Sequence, residues 1–268
     1  MGAEPEYPTD LRLITALRYD SALLQCERNT AVNHGRPSAY LLLPYHHERL
    51  VSAAHAHGSR WAAAARSLTL DAVQDACDRA VSQHGENGGP LKVRLALASD
   101  GKLDASATRV PPLPNPSDPF LLSNLSPTSV ASAHQYPPLT LYLAPQSEPT
   151  TASLYTRTKT THRTPYDIAR ARAGVVLGAP TDVLLFDEQD RLMEASIRNV
   201  ALWREGRWLT PGDEVGCLPG VARRWLLDHG GVGSDKNGTL KRDGIHDGEI
   251  VLTFNGVEGC RYGYIKNE

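Results

Sequence analysis

The stretch SLYTRTKTTHRTPYDIAR, Ser153–Arg170, sets a single amine, Lys159, among hydroxyl side chains. Its threonines and tyrosines are β-formers, so the spacing predicts a strand carrying Lys159. A strand lysine is ordinarily a solvated edge residue. The neighbouring Thr158, Thr160 and Thr161 could orient the amine, but hydroxyls at such positions usually just favour the strand. Arg163 has Asp167 four residues on, a spacing that allows a structural ion pair. Further along, Glu194 in LMEASIRNVALW follows a short apolar run and precedes a polar loop. Gly220 then opens LPGVARRWLLDHG, which reads as a helix whose first free N–H groups, on Val221 and Ala222, can hold an anion. Each feature taken alone is weak.

Outside this set the chain alternates strand-like and helix-like patterns. LRLITALRYD and AYLLLPY are short apolar runs, and HHERLVSAAHAHG places Leu50, Ala53, Ala54 and His57 at helical spacing before Gly58. Thr69 can cap a helix whose apolar stripe is Val73, Ala76, Cys77, Ala80 and Val81. LKVRLALAS alternates as a strand, Asp100–Gly101 is a hairpin turn, and KLDASATRV is the return strand. Pro111 to Pro138 holds eight prolines and few charges, which predicts an extended linker. Beyond it LTLYLAP, DVLLFD, LMEAS, NVALW, RWLTP and EIVLTFN read as strands. The 268 residues suit about two domains. We place an N-terminal α/β domain at 1–110, the linker at 111–138 and a second domain at 139–268.

Composition excludes several roles. Lys plus Arg is 28 against 30 acidic residues, a net charge of -2, which disfavours nucleic acid as a partner. No apolar run reaches the ~18 residues a membrane helix needs. The opening MGAEPEYPTD is acidic and polar, unlike a secretory signal, so the cytoplasm is the expected compartment. The four cysteines are scattered without a CxxC pair, as free buried thiols would be. His34, His46, His47, His55 and His57 match no zinc spacing and read as packing or solvated residues, so no metal is expected. There is no G-x-S-x-G elbow, no P-loop, and no G-x-G-x-x-G after a strand.

Taken together and in order, Lys159, Glu194 and L-P-G-V-A-R resemble the class IV (fold type IV) pyridoxal-phosphate enzymes. The string K-T-T-x-R-x-x-Y-D-x-A-R is most similar to fungal-type aminodeoxychorismate lyases. E-A-S-I-R-N (Glu194–Asn199), W-L-T-P, C-L-P-G-V-A-R and the strand ending in Asn255–Gly256 extend the likeness, and H-H-E-R-L (His46–Leu50) resembles the family's H-x-x-R-L helix. The resemblance implies a two-domain α/β (α+β) fold with a small N-terminal domain and a larger pseudo-barrel domain. It implies pyridoxal 5'-phosphate as cofactor, with Lys159 forming the Schiff base and moving the substrate proton. Glu194 would face the pyridine nitrogen. Arg49 and the Gly220, Val221 and Ala222 backbone would hold the phosphate, and Arg163 and Asn255 would border the cofactor. Arg18 is the favoured anchor for a substrate carboxylate, ahead of Arg94; the alternative is that both are solvated strand residues.

The implied activity is elimination of pyruvate from aminodeoxychorismate to leave p-aminobenzoate. Transamination (branched-chain, D-amino-acid or amine type) is the alternative, and a non-catalytic binding protein on the same scaffold is a third. The substrate would be a small amine or amino-acid-like molecule, and the family implies a homodimer. Two departures stand out. Aminotransferases carry a tyrosine where this chain has Thr164, and many members carry S-G-T where it has Phe254-Asn255-Gly256. The strands that many relatives place before LITALRYD are also absent from this sequence.

Overall fold

Three strands with strict side-chain alternation build the first sheet: β1 (Leu13–Tyr19), β2 (Leu91–Leu97) and β3 (Leu103–Arg109), antiparallel in that order. The computed structural model describes residues 10–85, 88–133 and 136–267, so most of the N-terminal segment read above as no signal peptide lies outside the described residues. Leu13, Leu17, Val93, Leu95 and Leu97 turn to one face and pack with Leu50, Ala53, Val73, Ala76 and Cys77. Those partners belong to helices Leu43–Ala56 and Leu70–His84, whose apolar residues recur every three or four positions. Thr69 caps the second helix by accepting from Ala72 N at 3.1 Å. On the opposite face Ala16 pairs with Arg94 and Arg18 with Lys92. That second face is polar and looks toward the rest of the molecule.

The remaining strands form one eight-stranded mixed sheet, β6-β5-β4-β11-β10-β7-β8-β9. They are β4 (Leu139–Leu143), β5 (Thr181–Phe186), β6 (Leu192–Ala195), β7 (Asn199–Arg204), β8 (Arg207–Pro211), β9 (Gly233–Asp235), β10 (Ile250–Asn255) and β11 (Gly259–Lys266). The sheet curls into a half-barrel. Leu192 N donates to Leu240 O at 2.8 Å and Ala195 N to Arg198 O at 2.8 Å, drawing β6 back toward the opposite edge. Alternation divides the core: Val200, Leu202 and Val251 fill the concave side, while Ala201, Leu252 and Phe254 pack outside against the helix Val221–Asp228.

Two sequence expectations need correction. Lys159 is not in a strand; it sits in coil between two helices, Leu154–Arg157 and Thr164–Arg172. Pro165 in the first helical turn suits its fixed φ, which outweighs the local β propensity. The segment 111–138 is not merely extended, because it contains a short helix, Pro127–Ser132, and buries Leu113, Phe120 and Val130 with Trp225 and Leu226. The apolar run AYLLLPY forms a buried turn that leads into a helix, with Leu42 left-handed at φ 54°. Strand β11 was not anticipated, since its two glycines and exposed charge hide the alternation.

Candidate active site

The two sheets meet along the Lys159 segment. Ile14 N donates to Lys159 O at 2.8 Å and Thr161 N to Arg12 O at 3.0 Å, so β1 fixes the backbone on both sides of the amine. The threonines also serve this anchoring rather than the amine. Thr158 Oγ1 contacts His57 Nε2 and Leu154 O, Thr160 Oγ1 donates to His162 O, and Thr161 Oγ1 accepts from Arg12 N. The Lys159 side chain opens into a cavity of about 870 Å³ between the sheets. Arg18, Arg49, Arg163, Glu194, Gly220, Val221 and Asn255 line the same cavity. Residues from six separate segments are thus brought together.

Glu194 is buried on β6 and held at three points. It accepts from Tyr166 Oη at 2.7 Å, from Leu218 N at 3.3 Å and from Asn199 Nδ2 at 3.3 Å. Burial pushes its carboxyl up to about 7 despite those donors and the nearby cations. Lys159 moves the opposite way. Desolvation, then the charges of Arg163 and Arg49, bring its amine down to about 7, so near neutrality much of it is uncharged and nucleophilic. Arg163 lies 3.6 Å from the Tyr166 ring centroid and donates to Ser196 O at 2.8 Å. It does not pair with Asp167, which bonds Arg170 instead. The helix turns Asp167 away from the cavity.

Arg49 occupies the buried stripe of the helix Leu43–Ala56, beside His46, Leu50 and Ala53. A cation on an apolar stripe needs a partner, yet its Nε has none in the protein and only its Nη2 is bonded, to Thr15 Oγ1. Across the cavity, Gly220 is the N-cap of Val221–Asp228, and the first intrahelical bond is Arg224 N to Gly220 O at 2.8 Å. The N–H groups of Val221 and Ala222 precede it. The side chain of Ala222 turns into the apolar cluster behind, leaving only its backbone for a ligand. A side chain at 220 would lie 2.0 Å from Asn199 Oδ1, which explains the glycine.

Two expected ligand residues are otherwise engaged. Arg18 is buried, not solvated: it pairs with Asp20 at 2.9 Å and donates to Pro111 O at 2.6 Å and Val257 O at 3.3 Å. Its guanidinium clamps the segment after β3 to the turn after β10. Asn255 Oδ1 accepts from Val257 N and Glu258 N, and its Nδ2 donates to Glu258 at 2.8 Å, closing the β10–β11 turn. Arg94 affects Lys159 electrostatically but does not line the cavity. The sequence reading missed Tyr166, Asn199, Thr15 and His46. Tyr166, Asn199 and His46 lie inside the quoted motif strings, which was a signal, whereas Thr15 in its apolar run offered none.

Residues 30–261 match the amino-transferase class IV family. The chain belongs to that family. An aminodeoxychorismate lyase from Saccharomyces cerevisiae is 29% identical over 202 residues, 66% of this chain and 52% of its own length. A Schizosaccharomyces pombe protein provisionally assigned as an aminodeoxychorismate lyase is 38% identical over 118 residues, 44% of this chain and 51% of its own. The chain therefore spans about half the length of the curated relatives it matches. A solved Legionella pneumophila structure, provisionally a 4-amino-4-deoxychorismate lyase, shares the fold with a TM-score of 0.64 at 18% identity. It covers 98% of this chain and 88% of that one. Class IV enzymes use pyridoxal phosphate, and the cavity fits that group. An unpartnered buried guanidine nitrogen and a free helix N-terminus suit a phosphate, a depressed amine suits an aldehyde, and a buried carboxylate suits a ring nitrogen.

Proposed function

We propose that this chain is a pyridoxal-phosphate-dependent lyase that releases pyruvate from aminodeoxychorismate to give p-aminobenzoate. The observation that carries the reading is the convergence of Lys159, Glu194 and Arg49 in one cavity from distant segments. When bound, the cofactor supplies an electron sink for the carbon bearing the substrate amine. The protein's residues do the rest. Lys159, increasingly uncharged above about pH 7, would hold the cofactor's aldehyde carbon and would move the proton at the substrate's amine-bearing carbon. Glu194, held by Tyr166, Leu218 N and Asn199, keeps the ring nitrogen protonated. Arg49 and the backbone of Gly220, Val221 and Ala222 bind the phosphate, and Arg163 and Asn255 shape the cavity wall. With Arg18 bonded to Asp20, its part in substrate binding is to hold the cavity wall in place.

Transamination uses the same atoms, and the class IV family name favours it as the second reading. The lyase reading is supported by the two fungal relatives. The protein works as two domains, 1–110 and 139–268, joined by 111–138, as a cytoplasmic homodimer. Among the described residues no helix is long and apolar enough to cross a membrane.

The test is to mix purified protein with aminodeoxychorismate and follow p-aminobenzoate and pyruvate. Pyruvate release supports the lyase. Conversion of bound cofactor to its amine form by an amino donor, without pyruvate, replaces it with the transaminase. Borohydride reduction that leaves no phosphopyridoxyl adduct on Lys159 sinks both and leaves a binding protein.

A further inference from the structure

His46 and Thr15 form a buried pair beneath the cavity that the reading above leaves without a role. Thr15 Oγ1 lies 2.6 Å from His46 Nδ1 and accepts from Arg49 Nη2. All three residues are buried, and His46 and Thr15 have no measurable exposure. Guanidinium nitrogens only donate, so the threonine oxygen must present a lone pair to Arg49. Threonine is stiff at χ1, and a second bond to the imidazole leaves its oxygen one position. That holds whichever of the pair carries the shared proton. His46 is itself kept neutral by its burial and by Arg49 and Lys159 nearby, so it adds no charge to repel the guanidinium.

The ring is held on its far side as well. His46 Nε2 has no partner, and a side chain at Gly256 would approach it to 2.7 Å. Gly256 is not left-handed, so glycine is required there by this close approach and not by backbone angle. The imidazole is therefore wedged between β1 and the turn after β10, with Thr15 at one nitrogen. Neither residue lines the cavity. The hydrogen bonds of the pair reach the cavity lining at Arg49.

We propose that His46 and Thr15 are positioning residues that aim the Arg49 guanidinium at the cofactor phosphate. This rests on Arg49 being the phosphate ligand. The experiment titrates the full-length apo-protein with pyridoxal phosphate and, separately, with pyridoxal, which lacks the phosphate. Thr15→Val should weaken pyridoxal phosphate binding about tenfold and pyridoxal binding less than about twofold. Thr15→Ser, which keeps the hydroxyl, should stay within about twofold of the parent for both. His46→Phe should resemble Thr15→Val, and the double variant should be no weaker than either single one.

Equal losses for both ligands, or no loss, in Thr15→Val would overturn the proposal, even if His46→Phe does not fold. Arg49→Gln is the separate control. Should it fail to distinguish pyridoxal phosphate from pyridoxal, the assignment of Arg49 to the phosphate falls, independently of the pair behind it.

Discussion

The Tyr166 hydroxyl stands 2.7 Å from Glu194 Oε1, joining the helix that follows the lysine to the strand that carries the acid. The same ring lies under Arg163, whose charge makes the phenol a stronger donor to the carboxylate. One tyrosine thus couples the cation that depresses Lys159 to the Glu194 carboxylate. Tyr166→Phe keeps the ring and removes only the bond. We expect kcat to fall about tenfold and stability to drop by about 1 kcal/mol, checked by steady-state kinetics and urea melts.

Glu194 makes stability pH-dependent in a defined direction. Its folded carboxyl, at about 7, lies above the ordinary 4.5, so the folded protein binds the extra proton. That contribution is complete below the unfolded value and is lost as pH rises through about 7. Glu194→Gln cannot ionise and escapes the loss. The apo variant should gain on the parent by roughly 1–3 kcal/mol between pH 4.5 and pH 8, while losing most activity. Equal melts at both pH values would contradict the assignment.

Cofactor capture should follow the Lys159 amine. At about 7 it is far below the 10.5 of a free lysine, so capture should accelerate as pH rises through about 7 and level off above. Arg163 is the largest charge acting to depress it. Arg163→Met should therefore shift the pH profile of capture, followed by stopped-flow absorbance, to higher pH.

Arg198 ties two cavity walls together. It bonds fully buried Asp182 at 2.9 Å and grips Glu258 with two nitrogens, each at 2.9 Å. Arg198→Met leaves the Asp182 carboxylate in the core without its cation. A stability loss of about 3 kcal/mol should appear in denaturant melts. A conserved melting midpoint would show that the remaining donors, Val183 N and the N and Oγ of Ser196, suffice for Asp182.

Gly220 is constrained by space. Gly220→Ala would drive its Cβ into the Asn199 amide, which also supports Glu194 and Leu218 O. The apo-protein should lose affinity for pyridoxal phosphate in titrations, with pyridoxal affected as well, because both ends of the cofactor site move.

Periodicity made the helices around Arg49 and Val73 and most strands legible, since burial on one face leaves its mark locally. The order of Lys159, Glu194 and Gly220 made the proposed chemistry legible, because an amine, an acid and a helix N-terminus are the groups that proposal calls for. Lys159 itself was misplaced in a strand. Its threonines are β-formers in isolation, but Pro165 and a tertiary bond to β1 decide the segment's shape.

The sequence by itself determined which residue types could serve the proposed cofactor and the two-domain α/β plan expected to carry them. Tertiary structure alone decided which of those residues have free hydrogen-bonding capacity. Arg18 and Arg49 are both buried arginines at the cavity, yet Asp20 and two carbonyls occupy the first while Nε of the second is unbonded. Likewise Tyr166 reaches Glu194 and Asp167 turns to Arg170. A side chain's partners come from remote segments, so its remaining donors are a property of the packed molecule and leave no local pattern in the chain.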